Sequence, residues 1–445
     1  MNESREEFDA RLRRSLGGAA RKAIPAQKPT ETLPDWFLRR ASRGTSSAAS
    51  VEASPTGHPR TRGMPQGIET QSNARGSFGA RVEQLAIDHV HGNLRLDEVF
   101  AARGAALALL TGDASLEAFD PREATFLDIE TTGLSGGAGT QVFQIGLLEF
   151  DGRGFELWQG FLRSPDEAPA LLEACAQRVA RRGALVSFFG KTFDRHRLED
   201  QMRLHRVEPP FAGRAHLDLY HPCRRLYGKA FEDARLATLE RELCGVVRER
   251  DLSGAFAPAA WFDFQGGREH LLEAVFMHNR LDVLSLAGLC AHVARVLDGA
   301  DAGSALGGPT LSRSRALAEL FTKRRDWPRV LEWSERALAE AARDPLALAC
   351  RGRALERTAR FEEASAAFTR LAEVAEDGLA AEALGELAQL ALRRGAIEDA
   401  LRLCEAADQR SRVALTGSRS ARLAQRTARV RSQAAKRAAK ERATS

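Results

Sequence analysis

Three runs in the second quarter of the chain, ATFLDIE (124–130), QVFQIGLLEF (141–150) and GFELWQGFL (154–162), are apolar or alternate between apolar and polar, with Gly-rich or Asp-Gly punctuation between them. That pattern predicts three strands, the last two joined by a turn at Asp151-Gly152. Beyond residue 166 the period changes. EAPALLEACAQRVARR (167–182) is helical, ALVSFFG (184–190) is a further buried strand, and another helix covers about 195–205. Residues 268–297 form one long helical pattern with apolar residues at spacings of three and four. Strands succeeded by helix, strand and helix predict an α/β domain over 82–300, a mixed sheet flanked by helices.

From about residue 312 strand patterns disappear and Ala and Leu dominate. WPRVLEWSERAL, FEEASAAFTRL and IEDALRLCEAA open at Trp327, Phe361 and Ile397, at spacings of 34 and 36 residues, and Val330, Ala364 and Ala400 recur three positions into each. Helix pairs of about 34 residues are the tetratricopeptide (TPR) pattern, and Gly352 and Gly395 fall loosely where such repeats need small residues. Residues 312–410 therefore read as an all-α, TPR-like stack, a surface suited to a protein partner. Generic helical hairpins are the plainer reading of the same spacing.

The ends differ from the middle. Residues 1–80 hold 13 Lys+Arg against 8 Asp+Glu, and 411–445 hold 10 against Glu441 alone, so the formal net charge of +5 rests on an acidic body between basic ends. Residues 1–81, rich in Ser, Gly, Pro and Thr, read as disordered, with DWFLRRA near Trp36 a short helix or docking motif at most. Residues 411–445 read as a basic tail, either a nucleic-acid contact through counterion release or a solvated end. There is no run of 18 apolar residues, no apolar leader segment and no CxxC pair among six scattered cysteines. These features predict a cytoplasmic location with no membrane span, zinc site or disulfide framework.

The chemistry-bearing residues begin with Asp128 and Glu130. One residue apart on a strand, they share a face, where they repel one another unless a cation sits between them. Oxygen donors without Cys or His suit Mg²⁺ or Mn²⁺. Asp194 stands just past the strand ALVSFFG, at a helix start where Asp is also an ordinary cap. On the long helix, His278 precedes Asp282 by four residues, so the two share a face one turn apart. The glycines after Glu130 do not make a phosphate cradle. LSGGAGTQ lacks the Gly-Lys-Ser/Thr of a P-loop and the GxGxxG spacing, and a strand rather than a helix comes after it.

The ordered set Asp128-Ile-Glu130-Thr-Thr-Gly-Leu134, Asp194 and His278-Asn-Arg-Leu-Asp282 resembles the DEDD superfamily of 3′–5′ exonucleases, in its histidine variant. Across roughly 85–300 the segments LSGGAGTQVFQIG, HLDLYHPCRRLYG (216–228) and HNRLDVLSL are similar to bacterial YprB-type proteins of the ribonuclease-H fold, predicted exonucleases often followed by helical repeats. The resemblance implies two divalent ions, Mg²⁺ or Mn²⁺, held by Asp128, Glu130, Asp194 and Asp282. It makes His278 the general base and places Thr131 and Leu134 against the terminal nucleotide of a DNA or RNA 3′ end. Asp218 is a supporting acid rather than a ligand, and Lys191 and Arg195 are phosphate-contact candidates. One departure stands out: many relatives have Asn five residues before the second-motif Asp, where this chain has Phe189. The competing reading is a non-catalytic nucleic-acid-binding or scaffold protein that keeps the fold.

Overall fold

The computed structural model describes residues 58–133, 140–228, 230–249, 252–297 and 310–444. Its centre is strand β5 (Ala124–Thr131), where burial on both faces explains an apolar run without strict alternation. Numbering the strands in chain order gives β1 (Glu69–Asn73), β2 (Gly76–Ala86) and the small hairpin β3 (Val90–His91) and β4 (Leu94–Arg95) before it. After it come β6 (Val142–Phe150), β7 (Gly154–Phe161), β8 (Ala184–Ser187) and β9 (Ala215–Asp218). Seven of these form one sheet in the order β1-β2-β7-β6-β5-β8-β9. β8 runs parallel to β5 and β9 parallel to β8, while the remaining pairs are antiparallel, so the sheet is mixed as expected. The turn at Asp151-Gly152 also agrees with the sequence: Gly152 has φ +97°, and Asp151 Oδ1 accepts from the backbone of Arg153 and Gly154.

Helices cover both faces. α1 (Gly104–Thr111), α4 (Tyr220–Tyr227), α5 (Leu236–Cys244) and much of α7 (Leu272–Arg295) share a core with Phe126, Leu148, Leu157, Val186 and Leu217. α2 (Ala168–Ala180), α3 (Asp194–Leu204), α6 (Ala257–Gln265) and the first turn of α7 share the other with Leu127, Ile129, Leu147 and Trp158. Asp128 and Glu130 have the parity of Ala124 and Phe126, so they belong to the face that α7 covers.

The N-terminal boundary needs correction. Order begins before residue 82, because β1 and β2 extend the sheet beyond β7 from within the region expected to be disordered. β1 is ETQSN, an edge strand with no fully buried position, so it lacks the alternation by which strands are recognised. It is fixed through polar contacts instead: Asn73 Nδ2 donates to the Ala170 carbonyl (2.8 Å) and Arg163 Nη1 to Thr70 Oγ1 (2.6 Å). Residues 58–68 are also described, with Thr61 bridged to His270, whereas residues 1–57, including DWFLRRA, lie outside the described residues.

Beyond the α/β part the chain is helical: α8 (Thr310–Arg324), α9 (Trp327–Glu340), α10 (Pro345–Arg357), α11 (Phe361–Val374), α12 (Asp377–Arg393), α13 (Ile397–Ala414) and α14 (Gly417–Thr444). Trp327, Phe361 and Ile397 each begin a helix, and Val330, Ala364 and Ala400 are all fully buried. A side chain at Gly352 would meet the Phe368 ring at 2.7 Å, which accounts for the small residue there. α8 joins the two parts, since Leu317 and Phe321 enter the same core as Leu107 and Tyr227. The basic end is the second correction. Most of 411–445 is helix α14, whose Leu423, Thr427, Val430 and Ala434 are buried at helical spacing against its neighbours. All six cysteines are buried free thiols, and burial pushes Cys175 and Cys290 up to about 12. No described helix is long and apolar enough to cross a membrane.

Candidate active site

Asp128 is the residue on which the others converge. Burial pushes its carboxyl well above the usual carboxylate range, and the charges of Asp282, Glu130 and Asp194 push it further. Acids from α3 and α7 as well as from β5 itself thus act on Asp128. Asn279 holds Asp128 in place: its Nδ2 donates to Asp128 Oδ2 at 2.8 Å and to the Asp128 carbonyl at 3.3 Å. Gln159 Nε2 donates to Asn279 Oδ1 at 2.8 Å, which fixes which end of the amide faces the acid. Gly146 is paired across the sheet from Asp128, and a side chain there would collide with Asn279 Oδ1, so this approach requires glycine.

The segment before Asp194 is tied down by Asp218. Its Oδ1 accepts from the backbone of Phe189 (2.8 Å) and Tyr220 (3.1 Å), and its Oδ2 from that of Lys191 (3.0 Å). Asp218 therefore shapes the loop that delivers Asp194, the first residue of α3. Phe189, five residues before Asp194, sits at φ +59°, a left-handed conformation costing about 1–2 kcal/mol for a residue with a side chain. Asn, which the resemblance leads one to expect there, would tolerate that conformation better. The Phe189 ring packs edge-on against Tyr220 at 4.9 Å. Gly190 leaves room chiefly for Ser187, with which a Cβ there would collide, and such a Cβ would also stand 3.0 Å from Asp194 Oδ2.

The third motif is more engaged than its spacing foretold. His278 Nε2 lies 3.3 Å from Asp282 Oδ2, and Arg248 Nη1 lies 3.2 Å from His278 Nδ1. A guanidinium only donates, so Nδ1 accepts and Nε2 carries the proton toward Asp282. Arg248 also pairs with Asp282 Oδ1 and with Glu240, whose carboxylate is wholly buried; the Arg248 side chain is 6 % exposed. Glu240 accepts in turn from Ser285, which contacts His91 at 2.8 Å. Arg248 gives no signal in the sequence, because it sits among other arginines in a loop, VVRER, with no motif around it.

The other candidates have mixed fates. Thr131 is buried and donates to the Gly133 carbonyl at 2.9 Å. Lys191 Nζ pairs with Asp113 at 3.0 Å, and Arg195 with Glu199 at 2.6 Å. Leu134 and the glycines after it lie outside the described residues. The ends of that loop are closed by Thr132 N donating to the Gln141 carbonyl (2.9 Å), so it joins β5 to β6. Among the described residues no three His, Cys, Asp or Glu side chains stand close enough together to hold a metal ion as placed. The donor chemistry nonetheless fits a hard divalent cation, because the buried Asp128 carboxyl is raised by burial and by the charges of three other oxygen donors, Asp282, Glu130 and Asp194.

Residues 125–294 match the RNase_H_2 family model of the RNase_H superfamily. A Bacillus subtilis (strain 168) protein, described as "Uncharacterized protein YprB", is 30 % identical over 238 residues, 53 % of this chain and 56 % of that protein. The chain thus spans only about half the length of that relative. A structure described as "TPR2B-domain:pHsp70-complex of yeast Sti1" overlays 29 % of this chain and 98 % of its own at 19 % identity and a TM-score of 0.26, too low to carry an argument. The sheet order and the family match together make residues 125–294 a ribonuclease-H-like domain.

Proposed function

We propose that the chain is a divalent-metal-dependent nuclease that removes nucleotides from the 3′ end of DNA or RNA. The observation that carries the reading is the raised Asp128, pressed by acids that arrive from three separate elements. Asp128, Glu130, Asp194 and Asp282 would hold the ions, Mg²⁺ or Mn²⁺. When bound, these would supply Lewis-acid stabilisation of the developing negative charge. Asn279 keeps the Asp128 carboxylate turned inward, and Asp218 keeps the Asp194 loop in place. His278 takes a proton once Nδ1 is released by Arg248. Thr131 and Leu134 flank the terminal nucleotide. The helical region, 312–410, presents TPR-like pairs to a protein partner.

One observation favours a non-catalytic reading: Arg248 already neutralises Asp282, and both nitrogens of His278 are engaged. The test compares the purified chain and its Asp128→Ala variant on 5′-labelled DNA and RNA with Mg²⁺, Mn²⁺ or EDTA. Laddering from the 3′ end is expected, lost in EDTA and reduced at least about 100-fold in the variant. Equal activity in the variant overturns the site. Silence on every substrate leaves the non-catalytic reading standing.

A further inference from the structure

Helices α10, α12 and α14 enclose a cavity of about 480 Å³ whose walls carry Arg357, Arg393, Arg422, Arg426, Arg429 and Arg437 and no carboxylate. Gln389, Gln425 and Gln433 add amide groups, and Leu392 and Val430 are its only apolar side chains. Six guanidiniums around one space repel one another, so the arrangement is stable only with anions or water between them. Internal acids do not supply the balance. Arg426 pairs with Glu386, whereas none of the other five meets a carboxylate, and among the described residues Arg422 and Arg429 form no hydrogen bond or ion pair. Arg393 lies over the Phe361 ring at 5.1 Å and Arg357 over Trp327 at 6.0 Å, so both are held by packing rather than by counter-charge.

We infer that this groove binds the phosphodiester backbone of a nucleic acid, independently of the acid site. Arg422, Arg426, Arg429 and Arg437 succeed one another at spacings of four, three and eight along α14. They form a stripe about 22 Å long, on the order of six base steps of duplex. Charge with amide donors and only two apolar side chains matches backbone recognition, in which arginine and glutamine side chains contact phosphate oxygens. An acidic polypeptide anchors instead through apolar or aromatic pockets beside the charge, and this groove offers only Leu392 and Val430. The side of the helix carrying Leu423, Thr427 and Ala434 is used up in packing; Arg426 turns to Glu386 and Arg437 to the Leu392 carbonyl, while Arg422 and Arg429 stay exposed.

The experiment measures binding of a fluorescent oligonucleotide to the full chain in EDTA, where no cleavage can occur, across a salt series. Arg422→Gln/Arg429→Gln should weaken binding several-fold and reduce the slope of log affinity against log salt by about 1.4–1.8. Its thermal unfolding should be unchanged, since neither residue has a partner to lose. Because binding is read in EDTA, without ions or cleavage, the result stays separate from the nuclease reading. The inference is overturned if the unmodified chain binds no oligonucleotide at low salt, or if the double variant keeps the affinity and slope. It also fails if polyglutamate of equal charge displaces the oligonucleotide as well as unlabelled DNA does.

Discussion

Two carboxylates at α7, Asp128 packed against it and Asp282 on it, stand in opposite circumstances. Asp128 is met by a neutral amide, Asn279, and left crowded by other acids. Asp282, one turn further along, is met by the guanidinium of Arg248, itself locked to a buried glutamate. The first arrangement disfavours the charged form of its acid, which a proton offsets or, on the proposed function, a cation; the second carries its own counter-charge. One helix therefore borders a carboxyl without a cationic partner and carries another that is already paired. On the proposed function this divides the work, with Asp128 holding an ion and Arg248 setting where His278 and Asp282 point.

The largest effect should come from breaking the neutralised half. Arg248→Gln strands the wholly buried Glu240, and removing one partner of a buried pair costs about 3–5 kcal/mol. Glu240→Gln/Arg248→Gln should recover much of that loss, because no charge is then left alone. Urea unfolding in EDTA measures both, and a single variant as stable as the parent would remove the contrast between the two halves.

A smaller effect is expected from His91, which closes the same network through Ser285. Burial, helped by the charges of Arg280 and Arg248, lowers its folded value to about 4. The unfolded chain takes up this proton first, near pH 6.5, so stability falls as pH drops from about 6.5 to 4 and is flat below. The slope is about 1.4 kcal/mol per pH unit, roughly 3 kcal/mol in total. His91→Gln should lessen the slope of that limb by about 1.4 kcal/mol per pH unit, leaving the share of His216 and His292, which burial lowers to about 3; an unchanged slope would show that His91 is protonated or exposed in the fold.

Legibility in the sequence divides along a similar line. Asp128 and Glu130 announce themselves through strand parity, Asp282 and His278 through helical spacing, and Trp327, Phe361 and Ile397 through period, because each signal is local. β1 stays hidden because an edge strand with no buried position needs no apolar pattern. α14 is masked by its charge, although Leu423, Val430 and Ala434 have helical spacing. Arg248, Asn279 and Asp218 act through partners 34, 151 and 29 residues away, and no window of sequence contains both ends.

The finest test sets the two carboxylates side by side. Asp128→Asn removes a charge that its neighbours disfavour, and an amide oxygen can still accept from Asn279, so stability in EDTA should hold or rise. Asp282→Asn removes the acceptor of a charged hydrogen bond from Arg248 and the partner of His278 Nε2, so stability should fall by about 1.5 kcal/mol. Adding Mn²⁺ should then raise the melting temperature of the parent and leave Asp128→Asn unmoved. Asp282→Asn should show a reduced rise rather than none, because Arg248 had already offset that acid. If both variants lose stability equally in EDTA, then Asp128 is as well compensated as Asp282, and its crowding does not create a demand for a cation.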